Sequence, residues 1–228
     1  MRLHILVYAA LALGAIGLTA IIYFSGQPFF QRFIGDWNPL FAALLVSVLG
    51  FLVLSFLLSY GGFAIYRKDN RSGLVRAAGL AAVFGVIAIL ADFKIVYAAD
   101  INIPFPGSLL FYPAIGFFAE ILFHALPLAL LLLALMALQK NPRRPQVVLL
   151  CIFLVALLEP VYQARWMAAS GHYPDWAVAF VALHVFLINL TQLLLFRRYD
   201  FVTMLVFRMV YYLFWHIGWG YMRLYILF

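Results

Sequence analysis

The stretch LLFYPAIGFFAEILFHALPLALLLLALMAL occupies residues 109–138 and decides the class of fold. It contains no lysine, arginine or aspartate, and its only acidic and imidazole side chains are Glu120 and His124. A helix needs about 20 mostly apolar residues to cross the roughly 30 Å hydrocarbon core of a bilayer. The stretch is therefore long enough to span a membrane, and it carries two side chains that are costly to place there.

The whole chain has the composition of an integral membrane protein. Of its 228 residues, 68% are hydrophobic and 10% are charged, whereas a soluble domain carries roughly 25% charged residues. The net charge of +7 does not indicate a nucleic-acid partner, because the basic residues lie in short loops between apolar stretches. The single cysteine, Cys151, lies within an apolar stretch, so the chain has no internal disulfide.

Seven apolar stretches predict an all-α, polytopic transmembrane bundle that forms one domain over residues 1–228. The predicted spans are 3–24, 39–66, 77–97, 109–138, 147–163, 176–196 and 201–227. The first stretch continues past Thr19 and Ala20 without polar residues, so we interpret it as a retained helix and not as a cleaved signal peptide. The lipid bilayer is therefore the first predicted partner of the chain.

The basic residues of the loops predict a cytoplasmic N-terminus and an external C-terminus. Arg32 and Arg165 are the loop residues with a positive charge on the predicted outer side. The predicted inner side carries Arg2, Arg67, Lys68, Arg71, Arg76, Lys140, Arg143, Arg144, Arg197 and Arg198. Cytoplasmic loops of membrane proteins have this excess of lysine and arginine. We expect the protein in a plasma membrane, such as the inner membrane of a bacterium.

Polar side chains are concentrated in the third to seventh predicted spans, and each is a candidate functional residue because burial in lipid is costly. Glu120 and His124 are four residues apart and share one helix face, and Pro113 and Pro127 flank them and predict a kink. The other candidates are Asp92, Lys94, Glu159, His184, Asn189, Gln192, Arg208 and His216. The acids and imidazoles are expected at similar depths in the outer half of the bilayer, where such groups bind zinc or similar ions.

The same residues also permit a structural interpretation, in which they only hold the helices together. An intramembrane histidine often makes a packing hydrogen bond, and Asp92, Lys94 and Arg223 are close enough to span ends to be interfacial. Arg208 is expected to pair with Glu120, Glu159 or a phosphate headgroup, or to extend to the inner surface. The loops 28–34 and 98–107 are expected to be simple connectors, with a lid over an outer cavity as the alternative.

Short motifs in the C-terminal half resemble those of the CPBP family of CAAX proteases and bacteriocin-processing enzymes. The first motif of that family is Glu-Glu-x-x-x-Arg, and here Glu120 keeps the second glutamate while Ala119 and His124 replace the other two residues. The second motif, Phe-x-x-x-His, is matched by Phe180 and His184. The family consists of intramembrane metal-dependent peptidases, so the resemblance implies a helical membrane fold.

The third motif of the family, His-x-x-x-Asn or His-x-x-x-Asp, has two alternative matches. In one, His216 is followed by Gly220 where the amide belongs. In the other, residues 171–189 resemble the approach to the motif, His184 and Asn189 take part in it, and Glu159 replaces the histidine of the second motif. The two alignments stay open because neither reproduces the usual spacing of the family.

The resemblance implies a metal-dependent hydrolase that cleaves a membrane-embedded peptide. Glu120 would be the general base with His124 beside it, and Glu159, His184 and His216 would bind a divalent metal such as zinc, which lowers the pKa of its bound water. The departures from the motifs leave a degenerate, non-catalytic relative as the alternative. The residues also allow an accessory or scaffold subunit that docks a partner membrane protein, or a haem or proton-relay protein with histidine ligands.

Overall fold

The computed structural model describes residues 1–60, 62–138 and 144–228, and of Ala137 the backbone alone. Within those residues the chain is helical, and seven helices are long and apolar enough to cross a membrane. Spans 1 to 7 are Arg2–Phe24, Pro39–Tyr60, Arg71–Ile95, Ser108–Met136, Pro145–Ser170, Asp175–Arg198 and Phe201–Ile226. The protein is therefore a multi-pass membrane protein, and the predicted all-α fold is confirmed.

Span 4 widens in its middle, at the residues that the sequence singles out. It is α-helical over Ser108–Ala119, π-helical over Glu120–Ala125 and again α-helical up to Leu138. Pro127 follows the wide segment and has no N–H to donate to the carbonyl of the residue four positions earlier. π-Helical turns are rare and occur frequently at functional sites. The wide turn lies between the two prolines where a kink is predicted, and the kink itself stays a prediction.

Spans 5 and 7 are also interrupted. Span 5 consists of the helices Pro145–Ala156 and Leu158–Ser170, which meet at Leu157. Span 7 is α-helical over Phe201–Tyr212 and π-helical over Leu213–Trp219, and it ends with the α-helix Gly220–Ile226. His216 lies in this second wide segment, just as Glu120 and His124 lie in the first. Each wide segment therefore carries candidate polar residues.

Span 3 packs against span 7 through a face of small residues. The small buried residues of that face are Gly73, Ala77, Ala81, Gly85 and Ala88. Small side chains let helix backbones approach closely in a membrane, where the hydrophobic effect does not drive helices together. A side chain at position 85 would begin only 2.6 Å from the Cβ atom of Phe214 in span 7. Span 3 thereby holds span 7, which carries much of the polar site, at short range.

Contacts between loops gather the N-terminus and two loops on one side of the bundle, called here the N-terminal face. The backbone N–H of Tyr66 donates to Nδ1 of His4 at 3.3 Å. The backbone N–H of Arg67 donates to Oδ2 of Asp200 at 2.8 Å. The basic residues around positions 67–76 and 197–198 therefore lie on the same face as Arg2.

The opposite side is called the C-terminal face, because the last residues of span 7 lie there. On this face, Nη1 of Arg32 donates to the backbone carbonyl of Asp100 at 2.7 Å. The contact joins the short helix Gln31–Ile34 to the loop that follows span 3. Lys140 and Arg143 of the predicted charge pattern lie outside the described residues. That the C-terminal face is external stays a prediction from the loop charges.

Several predicted span boundaries are wrong. Span 2 ends at Tyr60 and not at residue 66, because Phe63, Ala64 and Ile65 are buried in a loop within the protein. The backbone N–H of Phe201 donates to the carbonyl of Ala64 at 2.9 Å, so this apolar segment is packed against the start of span 7. Span 3 begins earlier than predicted and span 5 extends later, because polar and charged residues are tolerated in the outer turns of spans.

Candidate functional site

A cavity of about 500 Å³ lies between spans 3 to 7. It extends from Arg32 and Tyr97 near the C-terminal face to Gln192 and Arg208 inside the bundle. Tyr162 and Trp166 line it and are exposed, so the wall of the cavity reaches the protein surface. Small-molecule sites in proteins have volumes of roughly 300–1,000 Å³ and mostly apolar walls with a few polar groups. The size of this cavity is therefore suited to a small ligand.

Arg208 lies at the inner end of the cavity and is paired with Glu120 behind it. Nε of Arg208 donates to Oε1 of Glu120, and so does Nε2 of Gln192. Nδ1 of His124 donates to the other carboxylate oxygen of Glu120 at 2.8 Å. Glu120 and His124 are fully buried and, among the described residues, are not part of the cavity wall. Both oxygens of the Glu120 carboxylate are thus engaged by protein donors.

The two terminal nitrogens of Arg208 also donate to protein groups. Nη1 donates to the hydroxyl of Tyr212 at 3.0 Å, and Nη2 donates to Oε1 of Gln192 at 3.3 Å. Gly116 of span 4 makes this packing possible, because a side chain there would begin 3.1 Å from Cε2 of Tyr212 and 3.5 Å from Cδ of Arg208. The guanidinium is therefore held between spans 4, 6 and 7 by partners within the chain.

Glu159 lines the same cavity and has a less complete set of partners. Its Oε1 accepts a hydrogen bond from Nε2 of Gln163 at 3.0 Å. Its Oε2 lies 3.9 Å from Nη2 of Arg208 and, among the described residues, has no hydrogen-bond partner. Glu159 stands in the first turn of the helix Leu158–Ser170, where the helix dipole favours a negative charge. One carboxylate oxygen of the cavity is thus without a donor.

His184 and Asn189 of span 6 bring further polar atoms to the cavity wall. His184 is 7% exposed and Asn189 is 1% exposed. Nε2 of His184 and both polar side-chain atoms of Asn189 have no hydrogen-bond partner within the described part of the chain. The imidazole of His184 is stacked on Phe180, with ring centres 5.4 Å apart. Buried polar groups are normally hydrogen-bonded, so these atoms point to a missing partner.

His216 is held in a fixed orientation by a residue that the sequence does not single out. Its Nδ1 donates to Oδ1 of Asn102 at 2.6 Å, and its ring is stacked on Tyr112 at 4.6 Å. Asn102 packs against Gly220, where a side chain would begin 3.0 Å from the asparagine amide. The resemblance places an amide at Gly220, and here Asn102 brings one to His216 from the loop after span 3. Its position in an irregular loop gives no periodic signal that identifies it.

Asp92 and Arg223 form a second buried ion pair between spans 3 and 7. Nε of Arg223 donates to Oδ2 of Asp92 at 2.7 Å, and Nη2 donates to Oδ1 at 3.1 Å. Nε1 of Trp219 and the backbone N–H of Tyr97 also donate to this carboxylate, at 2.6 and 3.0 Å. Burial and the Asp92 carboxylate raise the pKa of the Tyr97 phenol. Asp92 and Arg223 are fully buried inside the protein, whereas Lys94 is exposed; that all three lie near the membrane interface stays a prediction.

The structure divides the predicted site residues into two groups. Glu159, His184, Asn189, Arg208 and His216 line one cavity. Glu120 and His124 lie behind it, against Arg208. Residues 1–60, 62–138 and 144–228 contain no group of three or more His, Cys, Asp or Glu side chains that could hold a metal ion. The zinc-like ion therefore stays a prediction, and we assign no chemical step to it.

Comparisons of the chain with protein families, with characterised proteins and with solved structures found no match. The resemblance to the CPBP family stays a prediction from the motif residues. The functional inference therefore rests on the residues of the cavity.

Proposed function

We propose that this protein binds a small amphiphilic ligand in the cavity between spans 3 to 7. The observation that carries the proposal is the set of buried, unpaired polar atoms on Glu159, His184 and Asn189. An unpaired buried polar group costs about 1–3 kcal/mol, and a ligand with matching donors and acceptors removes that cost. The aromatic and apolar wall of the cavity offers a surface for the rest of such a ligand.

Entry is proposed from the C-terminal face, which the loop charges predict to be external. Tyr162 and Trp166 are 68% and 64% exposed and also line the cavity. Aromatic side chains of this kind are typical of the membrane interface, where molecules with a polar head and an apolar chain accumulate. The fixed network around Arg208 forms the inner end, so the proposed function is binding and not passage through the bundle.

Thiol labelling tests whether the cavity is open to water from that face. In a Cys151→Ala background, Asn189→Cys places the single thiol of the chain on the cavity wall. A membrane-impermeant maleimide added to the external medium of intact cells is expected to label this thiol. Saturating n-decanol is expected to slow the labelling. Failure to label Asn189→Cys from the medium, in a protein that labels fully after denaturation, contradicts the proposal.

A matched control uses a polar residue of similar burial outside the cavity. Ser47 of span 2 is 8% exposed and, among the described residues, does not line the cavity. Ser47→Cys in the same background is expected to stay unlabelled until the protein is denatured. Equal labelling of the two thiols would mean that the reagent detects general loosening of the bundle and not the cavity.

A second candidate function is hydrolysis of an amide bond, in keeping with the resemblance to the CPBP family. The favouring observation is that Glu159, with a free carboxylate oxygen, lines the same cavity as His184 and His216. Glu120 has both oxygens engaged, so the role of general base falls to Glu159 in this proposal. Glu159 would take a proton from water, the hydroxide would attack the carbonyl carbon, and the proton would pass to the departing amine.

Cleavage of membrane-anchored peptides by the purified protein tests this second candidate. Glu159→Gln is expected to reduce cleavage by about 100-fold or more, the usual effect of losing a general base. Asp175→Asn removes an exposed acid on the same face of the membrane and is expected to leave cleavage unchanged. Product formation that is equal in wild type and Glu159→Gln assigns it to a contaminating peptidase or to another residue. The binding proposal does not depend on this outcome.

A further inference from the structure

We infer that the ligand carries a primary ammonium group, which Glu159 and Asn189 bind inside the cavity. The inference rests on the proposed binding function and adds the chemical class of the ligand. The two residues belong to neighbouring spans 5 and 6, which pack against each other. Each has an oxygen on a cavity-lining side chain without a hydrogen-bond donor in the described part of the chain.

The balance of charge favours a cation. Arg208 is in direct contact with Glu120, and the two charges cancel. Glu159 lies 3.9 Å from the same guanidinium, beyond hydrogen-bond distance, and adds a second carboxylate. Two carboxylates therefore share one guanidinium, which is in hydrogen-bond contact with Glu120 alone. A charged group inside a membrane protein is unfavourable without a close partner, and a bound ammonium ion supplies one for Glu159.

The pattern of free atoms favours a group that donates several hydrogen bonds. Oε2 of Glu159 and Oδ1 of Asn189 accept hydrogen bonds and cannot donate them, whereas Nδ2 of Asn189, which also has no partner among the described residues, is a donor. A primary ammonium group has three N–H donors, which match the two acceptor oxygens and leave one donor for water or for His184, while Nδ2 of Asn189 is left to donate to water. A quaternary ammonium group has no N–H and would leave both oxygens unpaired. The cavity is therefore better suited to a primary amine than to a choline-like group.

The same network disfavours an anionic head. Arg208 is the cation at the inner end of the cavity, and each of its three nitrogens already donates to a protein group, to Glu120, Tyr212 or Gln192. A carboxylate or phosphate bound there would lie beside Glu159, and the like charges would repel each other. The rings of Tyr211 and Tyr212, by contrast, are part of the wall, and aromatic faces attract cations when water is excluded.

Alkyl compounds of one chain length but different heads separate these alternatives. The purified full chain in maltoside detergent is titrated calorimetrically with n-decylamine, n-decanol, decanoate and decyltrimethylammonium. Wild type is expected to bind decylamine at least tenfold more tightly than the other three. Glu159→Gln is expected to lose that preference, because a charge-assisted hydrogen bond is lost. Asp175→Asn, an exposed acid outside the cavity, is expected to keep it.

The outcomes distinguish a failure of this inference from a failure of the binding proposal. If wild type binds decanol as tightly as decylamine, the cavity binds amphiphiles but the ammonium inference is wrong. If Glu159→Gln binds decylamine as tightly as wild type, Glu159 does not hold the ammonium group and the inference is also wrong. If none of the four compounds binds, the binding proposal itself fails.

A further titration identifies the source of the amine. Decylamine is titrated into the protein in nanodiscs of phosphatidylethanolamine or of phosphatidylcholine. A lipid ligand predicts weaker apparent binding in phosphatidylethanolamine, because its headgroup competes for Glu159. A water-soluble amine predicts the same binding in both. Either result supports the ammonium group and assigns its source, provided that Glu159→Gln abolishes the preference in the same nanodiscs.

Discussion

The two buried arginine–carboxylate pairs of the described chain differ in how completely they are closed. Arg223 and Asp92 are each fully buried, and the carboxylate also accepts from Trp219 and from the backbone of Tyr97. Arg208 and Glu120 form a similar pair, but Arg208 borders the cavity, where Glu159 places a second carboxylate nearby. The Asp92 carboxylate of the first pair has hydrogen-bond donors on both oxygens. Beside the second pair lies Glu159, whose Oε2 has no hydrogen-bond donor among the described residues.

A charged residue in a membrane span is therefore not by itself evidence of a functional site. Both pairs join span 7 to an earlier span, and both obey the rule that an intramembrane charge needs a partner. Only the surroundings of the second pair contain unpaired polar atoms that line a cavity. The two pairs are therefore expected to differ in their contributions to stability and to ligand binding.

The largest effect is expected from breaking the closed pair. Asp92→Asn leaves the Arg223 guanidinium buried without a counter-charge, which costs about 3–5 kcal/mol. We expect a large fall in the thermal unfolding midpoint, measured by circular dichroism in detergent. The double variant Asp92→Leu with Arg223→Met is expected to recover much of the loss, since it removes both charges. A single variant as stable as wild type would show that this pair is not a structural lock.

Breaking the second pair is expected to have a smaller effect on stability. Glu120→Gln removes the partner of Arg208, but Glu159 remains 3.9 Å from Nη2 and takes over part of the neutralisation. We expect a loss of about 1.5–3 kcal/mol, the range for a hydrogen bond to a charged group. The same unfolding measurement checks it. A loss equal to that of Asp92→Asn would contradict the difference between the two pairs.

A smaller loss of stability is expected from adding a methyl group to span 4 where it packs against Arg208. Gly116→Ala adds a methyl group against Met209 and Tyr212, the side chains that pack beside Arg208. Overpacking of this kind costs about 1–3 kcal/mol, and the flexible end of Met209 favours the lower value. Gly79→Ala is the matched control, because nothing lies within 4 Å of a methyl group there. The control is expected to unfold at the wild-type temperature or above.

The smallest effect on stability is expected from replacing Glu159. Glu159→Gln leaves the Arg208–Glu120 contact intact and changes a side chain whose Oε2 has no hydrogen-bond donor among the described residues, so the unfolding free energy is expected to stay within about 0.5 kcal/mol of wild type. The same variant is expected to lose amine binding. A destabilisation as large as that of Glu120→Gln would mean that Glu159 is part of the structural pair and not a ligand-binding group.

The sequence predicts the fold well because hydrophobic length is a strong signal in membrane proteins. Residues 63–65 are wrongly predicted to belong to span 2, because a loop buried in protein is as apolar as a helix in lipid. The pairing of Arg223 with Asp92 is not predicted, because the two residues are more than a hundred positions apart and no spacing rule connects them. The gathering of polar residues in the later spans is predicted, whereas the division between cavity wall and buried support depends on side-chain contacts.

Asn102 belongs to the part of the candidate site that cannot be predicted from the sequence. It lies in an irregular segment, and only its contact with Nδ1 of His216 marks it as part of the site. Gly220 likewise shows its role only in the packed fold, where a side chain at this position would begin 3.0 Å from the amide of Asn102. Contacts between a loop and a distant helix depend on the packed fold, so periodicity and motif spacing do not identify them.

The π-helical segment of span 7 has a rotational consequence for the residues on either side of it. It lies between Arg208 and Arg223, and each residue added to a helix turns everything beyond it by about 100°. Because a π-helical turn holds more residues than an α-helical turn, deleting one residue between positions 213 and 219 would let the segment close into an α-helix with Arg208 and Arg223 nearly in their present register. Deleting a second residue would swing Arg223 away from Asp92 while leaving Arg208 where it is.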